Sequence, residues 1–121
     1  MLSFKRLAAI GGVLAALGWP PATLEARTKK GDRFYSQGHA AEQVKDFDKA
    51  LDLYEKALAE DPGEVMYQMA SRRVRFQAAQ KHVDLAHRLR SQGKLEEALK
   101  EYEAAYAIDP ASPVAGQELR R

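Results

Sequence analysis

The chain has 121 residues, of which 45% are hydrophobic, 30% are charged and none is cysteine. Its 19 Lys and Arg against 17 Asp and Glu give a formal net charge of +2, which argues against a nucleic-acid-binding surface, because such surfaces carry a strong basic excess. Without cysteine no disulfide stabilises the fold, so its stability depends on helix packing around one modest core.

The first 26 residues predict a secretory signal peptide. Lys5 and Arg6 form a short basic region, residues 7–19 are apolar and uncharged, and the segment ends at the small residue Ala26. The apolar run is shorter than the roughly 20 residues that span a bilayer. We predict cleavage after Ala26 and export to the periplasm or envelope, with no stable membrane span afterwards. An uncleaved anchor is the alternative.

The mature chain is predicted to begin with a polar, flexible lead-in over residues 27–32, followed by a first helix over Arg33–Gln43. Gly38 lies inside that helix. Because a glycine within a helix costs about 1 kcal/mol relative to alanine, it indicates a close contact with the next helix.

A repeated segment comes next. Residues 48–63, DKALDLYEKALAEDPG, return 48 residues later as residues 96–111, EEALKEYEAAYAIDPA. Their apolar and small residues follow the spacing of an amphipathic helix, and each copy ends in Asp-Pro, which disfavours further helix. The matching pairs are Ala50 and Ala98, Leu51 and Leu99, Tyr54 and Tyr102, Ala57 and Ala105, Asp61 and Asp109, and Pro62 and Pro110. Each copy predicts the second helix of a helical hairpin.

This pattern resembles the tetratricopeptide repeat, a 34-residue helical hairpin with small and aromatic residues at set positions. The resemblance implies an all-α fold, with one hairpin at residues 33–64 and another at 79–112, and a protein partner. The repeat-core residues that it implies are Phe34, Gly38, Phe47, Ala50, Tyr54, Ala57 and Pro62 in the first hairpin, and Leu85, Ala86, Leu95, Ala98, Tyr102, Ala105 and Pro110 in the second.

The second hairpin begins 48 residues after the first, and no proline or glycine interrupts residues 64–92. We therefore predict one long helix over residues 64–91 that spaces the hairpins apart and doubles as the first helix of the second hairpin. Asp61 and Glu64 predict a capping box at its start. Ser112 and Pro113 predict a short capping helix over residues 113–121.

Arginines are concentrated in the middle of this long helix, at Arg72, Arg73 and Arg75. They predict either a docking surface for an acidic partner or anionic lipid, or a solvated face that pairs with neighbouring acidic side chains. Apolar residues on the inner face of the helix predict an exposed strip, for which self-association is the simplest use. The predicted partner-binding residues are Arg72, Arg73, Phe76, Ala79, Val83 and Leu95.

No catalytic constellation is evident. His39, His82 and His87 lack the spacing of a helical metal or general-base motif, and the chain has neither a cysteine nucleophile nor a glycine-rich phosphate loop. We predict a binding module and not an enzyme, with no cofactor and no metal.

The order of elements adds a second resemblance. A leader, a repeat, a long arginine-rich helix and a closing helix resemble the N-terminal region of certain bacterial outer-membrane secretins of type II secretion and pilus systems. This implies a periplasmic scaffold in a secretion assembly. The alternative is an accessory protein that regulates a separate envelope or peptidoglycan enzyme.

Overall fold

The structure, a computed structural model, describes residues 28–121. Within this range the chain forms five α-helices and no β-strand. They are α1 (Lys29–Gln43), α2 (Phe47–Glu60), α3 (Val65–Ser91), α4 (Leu95–Ile108) and α5 (Pro113–Leu119). The predicted signal peptide and its cleavage site lie outside the described residues.

The helix boundaries repeat at the same 48-residue interval as the sequence. The matching boundaries are Gln43 with Ser91, Phe47 with Leu95, Glu60 with Ile108, and Val65 with Pro113. The turns match as well, because Lys45 (φ 61°) and Gly93 (φ 79°) both adopt a left-handed backbone conformation. The chain therefore contains two structurally equivalent units, and residues 48 apart occupy equivalent positions in them.

The first helix begins at Lys29, earlier than the predicted start at Arg33. Thr28 is its N-cap, and the Thr28 hydroxyl accepts a hydrogen bond from the Gly31 amide at 2.9 Å. The Thr28 amide in turn donates to Asp61 Oδ2 at 2.8 Å. The prediction of a flexible lead-in is thus wrong for residues 28–32, because a distant carboxylate anchors this turn.

The long helix occupies Val65–Ser91, in agreement with the predicted range. Its 27 residues extend about 40 Å at 1.5 Å per residue. The predicted capping box is wrong, since the N-cap is Glu64, whose side chain accepts from the Met66 amide at 3.3 Å. Asp61 instead bonds to Thr28.

Two hydrophobic cores lie along this helix. The first core contains Ala41, Ala50, Leu51, Leu53, Tyr54, Ala70 and Val74. The second contains Ala79, Val83, Ala86, Ala98, Tyr102, Ala105 and Ala115. The half-buried Ile108 packs against both. The long helix is therefore more than a spacer, because its first half completes the first unit and its second half begins the second.

Candidate functional site

The predicted repeat-core residues fall into three groups by exposure. The buried ones are Gly38, Ala50, Tyr54, Ala57, Ala86, Ala98, Tyr102 and Ala105. Phe34, Phe47 and Leu85 are half-buried. Pro62, Pro110 and Leu95 are exposed, and Leu95 is 65% exposed. The interpretation of Leu95 as a core residue is therefore wrong.

The predicted docking strip is not a single surface. Ala79 and Val83 are only 2% and 1% exposed and belong to the second core, whereas Phe76 is 63% exposed. The helical periodicity alone did not show which face of α3 is covered by α4. Ala79 and Val83 are thus core residues, and the expectation that they line an exposed strip with Phe76 and Leu95 is wrong.

Two of the three central arginines bind side chains within the chain. Arg73 donates to both carboxylate oxygens of Glu42, at 2.9 and 2.8 Å, while the Tyr54 hydroxyl donates to Glu42 Oε1 at 2.7 Å. The hydrogen bond from Arg73 lowers the pKa of Glu42, even though burial opposes this shift. For these side chains, intrachain pairing accounts better for the charge than a free docking surface. Arg72 remains exposed.

Arg75 connects the two units. Its guanidinium donates to Glu55 Oε1 of α2 at 2.8 Å and to the carbonyl oxygen of Ile108, the last residue of α4, at 3.2 Å. A single side chain on α3 therefore bridges the helices that pack on either side of it.

His82 makes a second bridge between the units. Its Nδ1 lies 2.6 Å from Glu101 Oε2 on α4, and its Nε2 lies 2.8 Å from Asp48 Oδ2 on α2. Burial lowers the pKa of His82, but the hydrogen bonds to Glu101 and Asp48 and their charges outweigh it, so the pKa is raised above 6.5. Spacing along the chain did not reveal this cluster, because each member lies on a different helix.

An apolar groove of about 460 Å³ runs along the outer side of α4. Its lining residues are Arg90, Leu95, Ala98, Leu99, Tyr102, Glu118 and Arg121, and we call it the α4 groove. Leu95 and Leu99 are 65% and 48% exposed. At the rim, Arg90 and Glu118 form an ion pair at 2.5 Å.

The equivalent surface of the first unit is covered. Leu51, the counterpart of Leu99, is only 7% exposed, and Phe47, the counterpart of Leu95, is half-buried. The sequence repeat pairs Leu51 with Leu99, but the difference in exposure arises from the helix that comes after each hairpin. After α2 the chain continues as the 27-residue helix α3, whereas α5, which comes after α4, has 7 residues.

A second groove, of about 530 Å³, lies between α1 and α2. Its lining residues are Gln37, Ala40, Ala41, Val44, Asp46, Lys49 and Leu53. Val44 is 75% exposed, but most of the other apolar groups here are small. This groove offers less apolar contact surface than the α4 groove.

Metal-binding clusters and membrane-spanning helices are not found in the described part of the chain. Among residues 28–121 no group of three or more His, Asp or Glu side chains could hold a metal ion. No described helix is both long and apolar enough to cross a membrane.

The paired hairpins and the open apolar groove define the class of helical-repeat proteins that bind other proteins. Family models agree: the model described as tetratricopeptide repeat matches residues 32–64, and the model described as TPR repeat matches residues 86–115. The chain is therefore a protein with tetratricopeptide repeats. Comparisons with curated proteins and with solved structures gave no match.

Proposed function

We propose that this protein is a binding module that acts after export in the bacterial envelope and docks a partner protein in the α4 groove. The observation that carries the docking site is the exposure of Leu95 and Leu99, at 65% and 48%. Leucines at these levels of exposure lie beside one another on a helix whose counterpart in the first unit is covered. Contiguous exposed apolar surface of this kind marks interaction sites.

The proposed location rests on residues 1–26, whose basic and apolar regions have the pattern of a secretory leader. N-terminal sequencing of protein recovered from the envelope fraction tests it. The expected sequence begins at Arg27. Recovery of the intact Met1 end from the cytosol would contradict export.

Within the envelope, the order of elements and the 48-residue spacing favour a scaffold in a secretin-type secretion assembly. The alternative is an accessory protein for a separate envelope or peptidoglycan enzyme, because tetratricopeptide repeats generally serve as non-enzymatic scaffolds. The neighbouring reading frame distinguishes the two. Secretin domains encoded there would support the first, and an envelope hydrolase would support the second.

The docking site is tested by photo-crosslinking in cells. A benzophenone amino acid at position 99 should give a discrete crosslinked product that disappears when Leu95→Asp is added. The matched control carries the same probe at Met69, which is 61% exposed on α3 and does not line the groove. Equal products from both positions, or none from position 99, would overturn the assignment of the α4 groove.

A further inference from the structure

We infer that the occupant of the α4 groove is a basic amphipathic helix of a partner protein, which lies on α4 as the middle of α3 lies on α2. This inference rests on the proposed docking site and adds the chemistry of the partner. It derives from the 48-residue equivalence of the two units, because the first unit shows how such a groove is filled.

The apolar floor is the same in both units. Ala50, Leu51 and Tyr54 of α2 recur as Ala98, Leu99 and Tyr102 of α4. In the first unit the covering segment of α3 contributes Val74 and Ala78, which are both fully buried. The second unit has no described residue at the positions equivalent to these two, because α5 ends at Leu119. The open floor therefore fits a helix with a branched apolar residue and, four positions later, a small one.

The polar rim of the first unit shows which charges the covering helix supplies. Glu55 accepts from Arg75 at 2.8 Å, Asp48 Oδ2 lies 2.8 Å from His82 Nε2, and the Lys45 carbonyl accepts from Lys81 Nζ at 2.9 Å. All three groups that accept bonds belong to the hairpin, and all three basic side chains belong to α3.

The same acceptors recur in the second unit. Glu55 corresponds to Glu103, Asp48 to Glu96, and the Lys45 carbonyl to that of Gly93. Glu96 and Glu103 are exposed, and among the described residues neither forms an ion pair. Two unpaired carboxylates beside an apolar floor complement a helix with cations next to its apolar face.

Cations also lie at this rim, and they determine the orientation. Arg90 occupies the position of Glu42, but Glu118 already pairs with it at 2.5 Å, and Glu118 also lies 3.8 Å from Arg121. That end of the groove is therefore neutralised within the chain. The acidic groups that remain lie on α4 itself, so the cations of the partner should face Glu96 and Glu103.

A second copy of this chain is a poorer occupant. Its own segment of this pattern has Val74 and Ala78 buried within the fold, so it would have to unfold before it could bind elsewhere. The geometry thus points to a separate protein with an exposed basic helix.

The test uses the mature chain, residues 27–121, and a synthetic peptide that copies residues 71–86 of this same sequence. A short peptide is only marginally helical in water, so a covalent staple joins the positions of Arg72 and Phe76, which are largely exposed in the folded chain. Fluorescence anisotropy measures its binding. We expect saturable binding that weakens with added salt and falls at least tenfold with Leu99→Asp in the protein.

A charge exchange tests the register. Glu103→Arg should weaken binding of the peptide about tenfold, and Arg75→Glu in the peptide should restore it. Met69→Asp is the control and should leave the affinity unchanged, while circular dichroism verifies that each variant is folded. No binding, or failure of the exchange to restore it, would overturn the inference.

Two outcomes separate this inference from the proposed function. Crosslinking from position 99 in cells without peptide binding leaves the docking site standing and shows that its occupant is of another kind. Sedimentation that shows a dimer, abolished by Leu99→Asp, would assign the groove to a second copy and contradict the separate partner.

Discussion

Gly38 shows how closely the first unit is packed. A Cβ added there would lie 2.7 Å from two ring carbons of Tyr54, and that ring is fully buried. The second unit has Ala86 at the equivalent position, beside the same type of residue, Tyr102. The two repeats therefore solve one contact in two ways, and only the first requires the absence of a side chain.

We predict that Gly38→Ala destabilises the protein. Helix propensity favours alanine by about 1 kcal/mol, but overpacking a close contact costs about 1–3 kcal/mol, so a net loss of about 1 kcal/mol is expected. Urea unfolding measures it. Gly63→Ala is the control, because a Cβ there meets nothing within 4 Å. A more stable Gly38→Ala variant would show that the Tyr54 ring moves aside easily.

At the scale of the helices, the start of α1 depends on a residue at the end of α2. Asp61 is 5% exposed, and its Oδ2 accepts from both the amide and the hydroxyl of Thr28, at 2.8 and 3.3 Å. A negative charge at a helix N-terminus also interacts favourably with the positive end of the helix dipole. This contact closes the first hairpin at the end opposite its turn.

We predict that Asp61→Ala lowers the free energy of unfolding by about 1–2 kcal/mol, the range for the loss of a helix cap. Amide hydrogen exchange over residues 29–33 should lose protection first. Asp109→Ala is the matched control, since the Asp109 side chain accepts a local bond from the Ala111 amide at 3.2 Å. Equal losses in the two variants would mean that the contact with Thr28 contributes little.

The long helix explains which predictions from sequence failed. Its buried residues follow one stripe through Tyr67, Ser71, Val74 and Ala78, and then another that begins at Ala79. A step of one residue turns the face by about 100°. The covered face therefore changes where the packing partner changes from α2 to α4. A single periodic pattern could not show this, so Ala79 and Val83 were predicted on the wrong surface.

At the scale of the whole molecule, the all-α repeat and the extent of the long helix were predictable, because caps, Asp-Pro stops and the 48-residue recurrence are local features of sequence. The contacts that join the units were not. Arg75 bonds to Ile108, 33 residues away, and His82 contacts Asp48, 34 residues away. Pairs of residues at such distances carry no spacing rule, so only the folded chain brings them to notice.

The joint at His82 should make the stability of the molecule depend on pH. The pKa of His82 is raised above 6.5 in the folded state, so the folded protein holds this proton more tightly than the unfolded chain does. The stabilisation is therefore fully present below about pH 6.5 and is lost as the pH rises through the folded-state pKa. The other charged groups that line this region are Asp46, Lys81 and Arg88.

We predict that the free energy of unfolding, measured with urea at pH 6, 7 and 8, decreases with pH in the native chain and changes less in His82→Gln. The glutamine retains a hydrogen-bonding group but cannot take up a proton, so it cannot hold Asp48 and Glu101 together as a cation does. His39→Gln is the control, because His39 is exposed on α1 and should leave the native pH dependence in place. If His82→Gln kept the full decrease between pH 6 and 8, another group would carry the pH dependence, and the three-helix joint would contribute to packing alone.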